Sequence, residues 1–106
     1  MGEQPYFPAT MGTQKHAQMA DLRAAVRACR VIRFSFRGKE YEVEPHMVGS
    51  APGTGTYTLS AWVRSASDGS PPGWKKFPYW QIRDLRIEPA TFAIRPMPKL
   101  GHVTMA

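Results

Sequence analysis

The sequence predicts a mainly β domain: one N-terminal α-helix followed by five short strands, curled into a small barrel. Three observations predict it. Residues 17–30 carry apolar side chains at helical spacing, with Met19, Leu22, Val26 and Cys29 three, four and three apart. Residues 31–46, VIRFSFRGKEYEVEPH, alternate apolar and polar in a period of two on both sides of a glycine. Further short alternating runs then follow at close intervals, separated by Gly- and Pro-rich connections. A sheet so small has exposed edges, and closure into a barrel is a common remedy.

The helix comes first. Ala24, Ala25 and Ala28 have high helix propensity. Asp21 stands early, and Arg27 and Arg30 stand late, as the helix dipole favours. Arg23 and Arg27, four apart, mark an outer face. The first strand sets Ile32, Phe34 and Phe36 on one side and Arg33, Ser35 and Arg37 on the other. Gly38-Lys39 is the expected turn. Tyr41 and Val43 then alternate with Glu40, Glu42 and Glu44, and Pro45 is expected to end the ladder. The three glutamates read as surface electrostatics, balanced by Arg33, Ser35 and Arg37 across the hairpin.

Residues 49–55 form a loop by composition. The third strand, 56–64, places Tyr57, Leu59, Ala61 and Val63 on one face and Thr58, Ser60, Trp62 and Arg64 on the other. Residues 65–73 form a second loop, with Gly69, Pro71 and Pro72. The fourth strand, 73–79, is interrupted at Pro78, which requires an edge or a strand end. Trp80, Gln81 and Ile82 read as a tight turn. Leu85 and Ile87 belong to a short fifth strand stopped by Pro89. The expected core is Ile32, Phe34, Phe36, Val43, Tyr57, Leu59, Ala61 and Ile87.

The chain thus divides into a flexible N-terminal arm (1–16), a helix-plus-barrel domain (17–95) and a flexible C-terminal tail (96–106). At 106 residues it holds one domain. No apolar run approaches a membrane span, and the N-terminus lacks the apolar stretch of a signal peptide. Tyr6 stands where a myristoylation motif needs Ser or Thr. One cysteine, Cys29, fits a reducing compartment, so a cytoplasmic location is expected. A net charge of +6 favours anionic partners, although solubility alone explains it as simply.

The order of these pieces resembles the WYL-domain family. The helix residues Leu22, Ala25 and Val26 match its opening pattern, and Ile32, Phe34, Phe36 and Gly38 match its first strand and turn. Val43, Glu44 and Pro45 match its "V-E-P" segment, and Trp74, Lys75, Phe77 and Ile82 match a later one. The positions of the name motif, Trp-Tyr-Leu, hold Tyr57, Thr58 and Leu59, so its tryptophan and tyrosine are not kept in place. The resemblance spans 21–95. It implies an SH3-like or Sm-like barrel and a role as a sensor in bacterial transcription regulators, binding a nucleotide or single-stranded nucleic acid. At the positions of the family's anion-binding arginines stand Pro78 and Gln81, and no helix-turn-helix segment accompanies the domain. The expectation is therefore a stand-alone ligand-sensing or regulatory module. The alternative is a protein–protein adaptor that has lost its ligand.

Few residues suggest catalysis. His16, His46 and His102 lie far apart, and no metal-ligand spacing occurs. Cys29 sits in the apolar stripe of the helix. The glycine-rich 50–55 lacks the Gly-Lys-Ser/Thr ending of a phosphate loop. No nucleophile elbow is present. The chain is expected not to be an enzyme and to need no cofactor. The candidate ligand-binding residues are His46, Trp62, Lys75, Lys76, Tyr79, Trp80 and Gln81, because aromatics interleaved with lysines suit base stacking and phosphate neutralisation. His46 itself is expected in an exposed loop. Exposed strand edges predict a homo-oligomer.

Overall fold

The computed structural model describes residues 15–97 except 51, 52 and 54. The expected flexibility of 1–14 and 98–106 lies outside the described residues. Helix α1 (Met19–Ala28) is followed by β1 (Arg30–Phe36), β2 (Lys39–Ser50), β3 (Tyr57–Ala66), β4 (Gly73–Pro78), a 3-10 turn (Tyr79–Gln81) and β5 (Ile82–Thr91). The strands form one antiparallel sheet in the order β4-β3-β2-β1-β5. The predicted class is observed, with a barrel-like sheet that stays open between its edge strands β4 and β5.

Helix α1 buries Leu22 and Ala25 against the sheet. It starts two residues later than the spacing suggests. The Ala17 N–H donates to the Ile82 carbonyl (3.3 Å), which holds Ala17 in the core but outside the helix. The preceding residues also dock. Lys15 exchanges backbone and side-chain hydrogen bonds with Asp84, and His16 bridges to Arg83. The end of the expected free arm is thus pinned to β5. At the other end of α1, Cys29 adopts a left-handed φ of 53° as the C-cap, half-buried, rather than a core position.

The hairpin turn falls on Arg37-Gly38, one residue before the expected place. Both have positive φ (52° and 80°), and Phe36 pairs with Lys39. A two-residue turn of this hand needs positive φ at both central positions. Glycine takes the second of them here.

Two prolines expected to stop strands do not. Pro45 lies within β2, where the register shifts between Pro45↔Ala61 and Met47↔Ser60. This bulge makes His46 the extra residue and removes the need for a proline N–H in a regular ladder. Pro89 lies within β5, an edge strand, in the irregular stretch between Ile32↔Ile87 and Arg30↔Thr91. Both edges therefore carry a proline, Pro78 on β4 and Pro89 on β5.

The core holds Leu22, Ala25, Ile32, Phe34, Phe36, Tyr41, Val43, Leu59, Ala61, Val63, Phe77 and Ile82. Two expected members are absent from it. Tyr57 is 41% exposed at the start of β3, with the Arg23 guanidinium 5.6 Å from its ring centroid. Ile87 is 38% exposed on the edge strand β5, beside the bulge.

Candidate ligand-binding face

One face of the sheet packs on the core. The other is polar, and the period-two alternation of each strand builds it. Register places Arg33 beside Glu42 and Arg86, Ser35 beside Glu40, and Glu44 beside Trp62. Trp62 in turn lies beside Trp74, and Ser60 beside Lys76. An ionic network crosses these strands. Arg33 meets Glu42 at 2.8 Å, Arg64 lies 3.6 Å from Glu42 and 3.7 Å from Glu44, and Arg86 lies 3.8 Å from Glu40. The Ser35 hydroxyl donates to Glu40.

Glu44 corrects the expectation of a surface row of acids. It is only 4% exposed. Its carboxylate receives a forked guanidinium from Arg95, at 2.7 Å from Nε and 3.4 Å from Nη2. That hydrogen bond raises the Arg95 pKa above its ordinary value. A carboxylate this deep needs such partners, because an unpaired buried charge is costly. The guanidinium groups lie nearer solvent than the acid they hold, with the Arg64 and Arg95 side chains 40% and 42% exposed.

His46 is likewise not an exposed loop residue. It is half-buried within β2. Its Nδ1 lies 2.9 Å from the Glu44 carbonyl oxygen, and its Nε2 lies 3.0 Å from the Arg95 backbone N–H. A carbonyl only accepts and an amide N–H only donates, so the proton sits on Nδ1 and Nε2 accepts. The ring meets Trp74 edge to face (4.9 Å) and Phe92 at a tilt (5.0 Å). Trp62 and Trp74 meet edge to face at 5.8 Å, and the Arg95 guanidinium carbon stands 4.2 Å over the Trp62 ring.

The predicted lysine–aromatic constellation divides. His46, Trp62 and Lys76 share the polar face with Trp74. Lys75 is on the opposite face, paired in register with Ala61, its ammonium 5.7 Å from the buried Phe77 ring. Tyr79 donates its hydroxyl proton to the Ala17 carbonyl (2.5 Å) and braces the segment before α1. Trp80 is 59% exposed on the 3-10 turn, where its carbonyl accepts from Arg83. Gln81 accepts from the Arg37 Nε at 2.6 Å. The sequence reading missed Arg33, Arg64, Arg86 and Arg95 as site residues. For the first two the signal was present in the strand alternation. For Arg95 it was not, because nothing local says where 92–97 folds back.

A second concavity, of about 370 Å³, opens between Lys39, Asp68, Gly73, Trp74 and Lys75. Two of its charges satisfy one another: Lys39 pairs with Asp68 at 3.0 Å. Hydrogen bonds from Ser70, and then the Lys39 ammonium, hold the Asp68 carboxyl far below the usual carboxylate range. Among the described residues, no group of three or more His, Cys, Asp or Glu is placed to hold a metal ion. No helix among them is long and apolar enough to cross a membrane. Comparisons with family models, with curated proteins and with solved structures find no match.

Proposed function

We propose that this chain is a ligand-sensing or regulatory binding module whose polar sheet face receives an anion, a nucleotide or single-stranded nucleic acid. One observation carries the reading. Arg33, Arg64, Arg86, Arg95 and Lys76 stand on or over one sheet face against Glu40, Glu42 and Glu44, with Glu44 sunk beneath its guanidinium partners. Trp62 and Trp74 lie among them. Guanidinium groups suit phosphate, and indole faces suit bases.

The resemblance to the WYL-domain family supports an anionic ligand. The departures at Pro78 and Gln81 from the family's anion-binding arginines favour the adaptor alternative. Fluorescence titration with short single-stranded oligonucleotides at two salt concentrations tests the reading. Binding should weaken with salt by about 0.7 log unit per log unit of salt for each phosphate neutralised. Arg33→Ala combined with Arg86→Ala should weaken binding and flatten that slope. Absence of binding at low salt sinks the reading.

The second reading is a protein–protein adaptor or homo-oligomer. The exposed Trp80 favours it. Light scattering that reports a stable dimer, lost on Trp80→Ala, would support this second reading.

A further inference from the structure

Arg95 covers the indole face that a stacking ligand needs. Its guanidinium carbon lies 4.2 Å from the Trp62 ring centroid, while its fork grips Glu44. The segment that carries it leaves the sheet after Thr91, the last ladder pair of β5. From there 92–97 crosses the polar face outside any strand or helix. The Phe92 N–H donates to the Cys29 carbonyl (3.0 Å), and the Phe92 ring lies against His46. The Arg95 N–H donates to His46 Nε2, and the Arg95 side chain holds Glu44. Pro96 next to it offers no backbone donor.

A guanidinium 4.2 Å over an indole ring fills space in which a nucleobase would stack. Arg95 is thus an occupant of the site from within the chain. Its departure does not strand the buried acid, because Arg64 Nε stands 3.7 Å from Glu44 Oε2. The lock can therefore open without leaving an unpaired charge beneath it.

We propose that 92–97 is a displaceable strap that locks Trp62, and that the ligand opens it by placing a base on the Trp62 face while Arg33, Arg86 and Lys76 take its phosphates. This inference rests on the polar face being the anion-binding surface. It predicts a sign opposite to simple electrostatics. Loss of a cation from an anion-binding face should weaken binding. Loss of a lock should tighten it, because the apparent dissociation constant is the intrinsic one divided by the open fraction.

The test compares the full-length wild type with Arg95→Ala and with His46→Ala, each titrated with a short oligothymidylate at low salt. Hydrogen exchange of the backbone amide at position 95 is followed without ligand. Both variants should bind more tightly, by about fivefold if the strap is open one-fifth of the time in the wild type. The amide at position 95 should exchange faster in both. If Arg95→Ala fails to fold, His46→Ala, which keeps every cation, decides the matter. Binding by the wild type that is equal or weaker in the variants overturns the strap and leaves the anion-binding reading intact. Absence of binding by all three proteins overturns both.

Discussion

The rings of Phe36 and Phe77 meet edge to face with their centroids 5.0 Å apart, although β1 and β4 are separated in the sheet by β2 and β3. Three strand spacings in a flat sheet would hold their backbones about 14 Å apart. The contact therefore measures how far the sheet curls. Phe34 also meets Phe77 at 5.0 Å, and Tyr41 meets it at 5.1 Å. Phe77 is the point where the edge strand closes on the core. Phe77→Ala should cost about 3–5 kcal/mol, and Leu59→Ala about 2–5 kcal/mol, by denaturant unfolding. A near-wild-type midpoint for Phe77→Ala would show that β4 does not pack as described.

Glu44 should reveal itself through non-additivity. Each of Arg64 and Arg95 can cover for the other. Arg64→Ala combined with Arg95→Ala strands a buried carboxylate, so the double variant should lose about 3 kcal/mol and exceed the sum of the singles. Adding Glu44→Gln should restore part of the loss. Strict additivity in this cycle would mean that the acid is hydrated.

The Lys39–Asp68 pair should give a pH signature of known sign. The Asp68 pKa is lowered by folding, so its contribution is present above the ordinary carboxylate pKa of about 4 and fades as pH falls below it. The Lys39 pKa is raised, chiefly by its hydrogen bond to Asp68, so its contribution is present below the ordinary lysine pKa of about 10.4 and fades above it. Both groups are solvent-exposed, so the effect is small. The stability difference between wild type and Asp68→Asn should hold near neutral pH and shrink below about pH 4. A difference that grows on acidification would contradict the pairing.

The strand faces were legible because side-chain alternation encodes them directly, whereas the curl was inferred only from the need to protect the edges of a small sheet. Ile32, Phe34, Phe36, Val43, Leu59 and Ala61 are buried where the pattern put them. Pro45 and Pro89 misled because a proline reads as a stop until the bulge or edge that accommodates it is known. The polar face was half legible. Trp62 on the polar side of its strand was visible as an anomaly, and arginines facing glutamates across the hairpin were expected, but the turn at Arg37-Gly38 is what sets Arg33 against Glu42. The burial of Glu44 and the partners of His46 were not visible. Both depend on a residue about fifty positions away in the chain, Arg95, and no local pattern encodes that return.

Three tryptophans allow the most direct test of the central claim, that the polar face is where the ligand binds. Trp62 and Trp74 lie on that face, and Trp80 stands apart on the 3-10 turn. Nuclear magnetic resonance of the indole N–H signals, during titration with a short single-stranded oligonucleotide at low salt, separates them. The signals of Trp62 and Trp74 should shift together with saturation while that of Trp80 stays in place. Movement of the Trp80 signal alone, or of none, would contradict the account.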